Sequence, residues 1–264
     1  MIIAHLKYDT PTLKACIATC STWYNIATPH LHRTLTLQGW PSNKCWNRRS
    51  NPLASLFKLG LLPFAQQLRL GVSYTAGLRV VPSVFDSQNV QYFRAMANLQ
   101  DLKIGDLDFS KFPAGLGKYL GHFAPTLRSV ALRRPRGSRR RLLDFLRLFP
   151  KLDDIEVSYY SPRQDEYEAP DTQLVPTNGG LRGKLTLHVF HDEELLEEMV
   201  VTFGGMRFTS VDLWWAHGMR LLLDACAGTL ETLRLHPLSV DVGEDAAFPS
   251  KRFFYPWKRA LSMT

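Results

Sequence analysis

Apolar residues return along this chain in pairs two positions apart: Leu35/Leu37, Leu68/Leu70, Leu102/Ile104, Val130/Leu132, Ile155/Val157, Leu185/Leu187, Val211/Leu213 and Leu233/Leu235. Side chains at i and i+2 project from the same face of an extended strand, so each pair predicts a short strand with one apolar face. Between the pairs, apolar residues recur three or four apart, as Leu142, Leu143, Phe145, Leu146 and Phe149 do. That spacing predicts an amphipathic helix. Helices are expected over 51–62, 86–97, 113–123, 138–149, 191–203 and 216–226, with Pro150, Gly204, Gly205 and Gly228 marking joins.

The first members of successive pairs are separated by 33, 34, 28, 25, 30, 26 and 22 residues. A strand followed by a helix at a period of about 20–29 residues, with longer repeats carrying loop insertions, is the unit of a leucine-rich solenoid. The expected fold is therefore an α/β leucine-rich-repeat solenoid over 34–247, with parallel strands on the concave side and helices on the convex side. Two stretches interrupt it. Residues Ser161 to Gly180 hold three prolines and four acidic side chains and read as a flexible insertion; Gly39 to Asn51 lengthens the first repeat. The aromatic and basic tail from Phe248 to Thr264 is placed to cover the apolar edge of a terminal repeat.

If the aliphatic pairs point into the core, the alternate positions line the concave sheet. Arg69, Lys103, Arg133, Glu156, His188, Trp214 and Arg234 are expected there, as a partner-binding face. Trp and Arg commonly dominate interface energies, at about 2 kcal/mol or more on truncation, which singles out Trp214.

Composition narrows the function. No apolar run approaches the roughly 18 residues needed to span a bilayer, and the opening MIIAHLKYDTPTLKAC, with no cationic start followed by an apolar core, is not expected to be a secretory signal. Four scattered cysteines fit no disulfide framework, which points to cytosol or nucleus; Cys16 and Cys20 are expected as buried thiols. The formal charge is +8, unevenly spread: a basic block from Arg128 to Lys151 precedes acidic stretches at 153–171 and 192–198. Hydrolase, zinc-protease and nucleotide-binding motifs are absent, so the protein is expected not to be an enzyme and to need no cofactor. Glycines 115, 117 and 121 stand on the helical side of a repeat, a poor place for a phosphate loop; His188 and His191 diverge too far to share a metal. The run Arg133 to Arg141 (RRPRGSRRR) could attract nucleic acid or an acidic partner, but no aromatic is interleaved for base stacking, and a solvated loop and helix start is the first expectation.

Residues 1–33 follow a different rhythm. Asp9-Thr10-Pro11 is a helix start, with Thr10 as the expected cap; Leu13, Cys16, Ile17, Cys20 and Tyr24 then share a helical face, and Thr28-Pro29 is an expected break. The strings I-I-A-H-L, D-T-P-T-L-K-A-C, C-S-T-W and P-H-L-H-R-T-L-T-L resemble the latter part of an F-box, of the kind heading the F-box/leucine-rich-repeat proteins numerous in mushroom-forming fungi. By that resemblance Ile3, Leu6, Leu13, Cys20 and Trp23 are adaptor-binding positions. The opening of the motif has no counterpart in the sequence, and Ala18, Thr19 and Ser21 depart from its usual residues. The resemblance implies a substrate receptor of a cullin-type ubiquitin ligase, with a Skp-family adaptor and a target protein as partners. Its alternatives are a repeat scaffold that no longer binds the adaptor, or a binder of nucleic acid or an acidic partner through Arg133 to Arg141.

Overall fold

The computed structural model describes residues 6, 9–37, 52–71, 89–109, 120–162, 181–188, 193–203, 205–214 and 219–236. Ile3, the stretches 39–51, 163–180 and 248–264, the glycines at 115 and 117, and His191 lie outside them. The chain divides into two compact units: Met1–Leu107 with Lys111–Leu127, and Asp108–Ser110 with Arg128–Thr264. Both are α/β, and every described strand pairing in them is parallel.

The first unit opens with two helices, α1 (Thr10–Thr19) and α2 (Ser21–Leu31). The cap of α1 is Asp9, not Thr10: its carboxylate accepts from the Thr12 N–H at 3.1 Å and from the Thr12 hydroxyl at 2.6 Å. A carboxylate satisfies the orphan amides of a first turn better than the neighbouring hydroxyl, and these bonds hold its pKa below the usual value. The shared face expected from Leu13 to Tyr24 is broken at Cys20, which is extended and exposed between the helices, and Cys16 is only partly buried. The expected break at Pro29 is absent. Pro29 sits in the last turn of α2, where its missing N–H forfeits only the one helical bond to the Asn25 carbonyl; the neighbouring Thr28 hydroxyl donates to the Tyr24 carbonyl at 2.6 Å. Leu13 and Ala27 pack the two helices together, flanked by Leu6, Cys16, Ile17 and Leu31.

Three parallel strands follow: β1 (Thr34–Leu37), β2 (Gln67–Leu70) and β3 (Asp101–Gly105), with α3 (Pro52–Lys58) and α4 (Val90–Arg94) between them. Their aliphatic pairs stand in register, Leu35 against Leu68 against Leu102 and Leu37 against Leu70 against Ile104, all buried. Gln67 ties the strand starts together, accepting from the Thr34 hydroxyl at 3.1 Å and donating to Asp101 at 2.9 Å.

The second unit holds β4 (Ser129–Arg133), β5 (Arg136–Gly137), α5 (Arg139–Arg147), β6 (Asp154–Ser158), β7 (Ser161–Pro162), β8 (Arg182–His188), α6 (Glu193–Thr202), β9 (Arg207–Trp214), α7 (Met219–Cys226) and β10 (Thr232–His236). Strands pair in the order β4-β6-β8-β9-β10, and β5 pairs with β7 in a two-stranded ribbon. Again the aliphatic pairs form two rows, Val130-Ile155-Leu185-Val211-Leu233 and Leu132-Val157-Leu187-Leu213-Leu235. Helix α5 buries Leu142, Leu143, Phe145 and Leu146, and Phe145 meets Phe109 edge-on with ring centroids 5.6 Å apart.

Two backbone devices recur that the side chains do not announce. Where a strand begins, two consecutive N–H groups converge on one carbonyl of the preceding strand's approach. Gln66 and Gln67 bond the Arg33 oxygen, Gln100 and Asp101 that of Gln66, and Asp153 and Asp154 that of Arg128, at 2.8–3.1 Å. Just past three strands a non-glycine residue takes a left-handed conformation: Asp106 (φ 51°), Arg134 (φ 53°) and Tyr159 (φ 59°). Such residues carry strain of the order of 1–3 kcal/mol each. The corners at Arg134 and Tyr159 follow the adjacent strands β4 and β6 and are extended by bonds from the Arg134 N–H to the Ser158 carbonyl (2.7 Å) and from the Tyr159 N–H to the His188 carbonyl (2.9 Å). The expected insertion therefore begins with ordered backbone: Ser161 and Pro162 form β7, and the buried Tyr160 hydroxyl donates to the Gly137 carbonyl at 2.8 Å.

Candidate recognition surfaces

Because the aliphatic side chains of β4, β6, β8, β9 and β10 are buried on one face, with only Leu235 half-buried, the alternate residues share the other. Parallel register places them in rows: Ala131-Glu156-Thr186-Asp212-Arg234, and beside it Arg133-Ser158-His188-Trp214-His236. Neighbouring strands lie about 4.8 Å apart, so each row runs side chain against side chain across the unit.

Asp212 organises the part of this face nearest β10. It is 9% exposed, and its Oδ1 lies 2.8 Å from the His236 Nε2 and its Oδ2 4.0 Å from an Arg234 Nη. The His188 ring stands 6.4 Å from that of His236. Thr186, one strand over, is 5% exposed, and its hydroxyl has no hydrogen-bond partner among the described residues. Towards β6, the Ser158 hydroxyl is 3.4 Å from Glu156. At the strand starts, Asp153 is flanked by Arg128 at 3.5 Å and Arg182 at 3.0 Å. The face thus alternates acid, imidazole, hydroxyl and guanidinium, a set suited to binding a polar partner. Among the described residues no three metal-ligating side chains converge.

Of the residues expected on a concave face, Glu156 and Arg234 fall in one row of this unit and Arg133, His188 and Trp214 in the next. The side chain of Trp214 lies outside the described residues. In the first unit Arg69 and Lys103 face each other in register on the corresponding side of β2 and β3. Thr186, Ser158, Asp212 and His236 were not singled out by sequence, although the same alternation rule points to them. Asp212 occupies the middle of V-D-L as Glu156 does that of I-E-V, the sequence signal that marks both for the same face.

A second surface lies on the helical pair. Trp23, Tyr24 and Ile26 on α2 are large apolar groups left 38, 46 and 37% exposed. Of the positions assigned by resemblance, Trp23 and Cys20 are exposed and Leu6 is half-buried; Leu13 is buried between the helices and supports the surface from beneath.

The basic run is not one continuous cationic strip. Arg139 pairs with Glu194, and Arg141 donates to the Phe109 carbonyl at 3.1 Å. Arg134 and Arg136 line an open concavity of about 320 Å³ together with Tyr159 and Ser161.

Comparison with known proteins finds no matching family model, no similar curated protein and no similar solved structure.

Proposed function

We propose that this chain is a non-enzymatic protein-recognition module, the substrate receptor of a cullin-type ubiquitin ligase. In this reading α1 and α2 dock a Skp-family adaptor, and the strand–helix repeats form a leucine-rich-repeat solenoid whose polar strand face holds a target protein. Ubiquitin transfer belongs to other subunits, so no catalytic group is needed here.

The observation that carries the reading is the exposure of Trp23, Tyr24 and Ile26 on α2, a helix fastened to α1 through Ala27 and Leu13. Aromatic anchors on a rigid helix are the usual centre of a helical docking interface. The polar strand face supports the other half. Its side chains offer both signs of charge and several hydroxyls, which favours selective recognition of a polar surface over non-specific sticking.

The test is co-purification. The full chain mixed with a Skp-family adaptor should co-elute on size exclusion, and Trp23→Ala should weaken the complex by about 2 kcal/mol, some thirtyfold in Kd. Since Trp23 is only partly buried, the variant should keep its melting temperature. A folded chain that does not co-elute with the adaptor removes the ligase role and leaves a repeat scaffold.

A further inference from the structure

The concavity beside the polar face has a construction that adaptor docking does not use. Two adjacent repeats each contribute a residue at the left-handed corner and a second residue two positions on: Arg134 and Arg136 from one, Tyr159 and Ser161 from the next. Arg136 and Ser161 are partners in the β5–β7 ribbon, whose register is held by the bond from the Ser161 N–H to the Pro135 carbonyl at 3.0 Å. The backbone at all four positions is therefore fixed by pairing between the two segments. Among the described residues neither guanidinium is in an ion pair, while Arg139 and Arg141 of the same run are engaged elsewhere.

Two features point to a ligand. Left-handed backbone suits glycine and, less well, asparagine or aspartate; arginine and tyrosine gain nothing there from their own conformation. Yet both corners carry long side chains with hydrogen-bonding ends, and both residues line the same cavity. The chemistry of that lining is also one-sided: two guanidiniums, a phenol and a hydroxyl offer donors and a charge of +2, with no carboxylate among the four. Guanidinium forks match the oxygens of a phosphate, and two of them match a dianion.

We propose that Arg134, Arg136, Tyr159 and Ser161 form a binding site for a phosphate monoester. The arginines would take the non-bridging oxygens, and the Tyr159 and Ser161 hydroxyls would donate to those that remain. A volume of about 320 Å³ stands at the lower end of ligand cavities, enough for the phosphoryl group and the atoms that carry it. A phosphodiester backbone is the poorer fit. It carries one charge per phosphate and needs a row of cations along a groove, which the engagement of Arg139 and Arg141 interrupts. The site does not rest on the adaptor reading and stands or falls without it.

The full chain would be titrated by calorimetry with inorganic phosphate, with a Gly/Ser peptide carrying one phosphoserine, with the same peptide carrying Ser or Glu at that position, and with a short DNA duplex. Phosphate and the phosphopeptide should bind, and the Ser and Glu peptides should not. Arg134→Gly and Arg136→Gln should each weaken binding by about tenfold or more. Arg134→Gly also relieves the corner at φ 53°, so its melting temperature should hold or rise while binding falls, an outcome that a merely structural arginine would not give. Tighter binding of the phosphopeptide than of phosphate identifies a phosphorylated protein as the source; equal binding identifies a small free phosphate. The proposal is overturned if neither phosphate probe binds, if the Glu peptide binds as well, if the variants bind unchanged, or if the duplex binds more tightly than both monoesters.

Discussion

At the scale of single residues, the positions that matter most are those where backbone geometry and residue type are forced together. Gly183 is the sharpest case. Its φ is +83°, and a Cβ built there would lie 2.0 Å from the Asp153 carbonyl oxygen, the same oxygen that accepts the Lys184 N–H at 2.7 Å. A bulge between Gly183 and Lys184 sets the register of β8 against β9, and only a residue without a side chain lets β8 approach β6 closely enough to make that bond. Gly183→Ala should therefore lower stability by about 2 kcal/mol or more, read as a drop in the urea midpoint. A change within 0.5 kcal/mol, the ordinary scatter of surface substitutions, would show that the approach is not needed. Arg134 and Tyr159 are the converse: strain is kept at positions where glycine would relieve it, and the cavity between them gives a reason.

At the scale of elements, the sequence was readable wherever side-chain pattern decides structure. All eight aliphatic pairs lie in strands, since an i, i+2 pair of branched or leucyl side chains fits a half-buried strand. Helix α5 was equally plain from Leu142 to Phe149. What escaped is what backbone atoms decide. The carbonyls of Arg33, Gln66 and Arg128 begin strands whatever their side chains, and nothing in Arg134 or Tyr159 spells a left-handed corner. Near Asp9-Thr10-Pro11 two capping residues compete, and the stronger acceptor wins. On the polar strand face the alternation of side chains also takes in Ser158, Thr186, Asp212 and His236. Rows become visible only when registers are known, and register brings Asp212 beside His236, 24 residues away. The end of α2 carries a prediction of its own. His32 closes the helix through its N–H to the Thr28 carbonyl at 3.0 Å, and burial lowers its pKa. A depressed folded-state value means the unfolded chain takes the proton first. The contribution is whole above the unfolded pKa of about 6.5 and is lost as pH falls towards the folded value. Urea midpoints measured downward through that window should decline more steeply for the native chain than for His32→Gln. Parallel curves would show that His32 carries none of the dependence.

At the scale of the whole molecule, the second unit is a chain of nearest neighbours. Successive strands in the order β4-β6-β8-β9-β10 pair at separations of 22–30 residues, and contacts of that range fold and stabilise locally. If stability is a sum over adjacent repeats, a cavity in the middle strand weakens two interfaces and one in the last described strand weakens one. Leu185 of β8 is fully buried with paired strands on both sides, whereas Leu233 of β10 is 6% exposed and pairs with β9. Leu185→Ala should cost about 3–5 kcal/mol, in the upper part of the range for buried leucines, and Leu233→Ala about 2 kcal/mol. Hydrogen exchange after Leu233→Ala should rise in β10 and β9 first and leave β4 and β6 near their native protection, because each strand depends on the one beside it. Equal losses from the two substitutions, or a uniform rise in exchange across all five strands, would mean the unit melts as one body rather than as stacked repeats. The distinction bears on recognition too. A face assembled from neighbours can change one row, such as Asp212 and His236, without loosening Glu156 two strands away, and so can be altered residue by residue while the wall behind it stays intact.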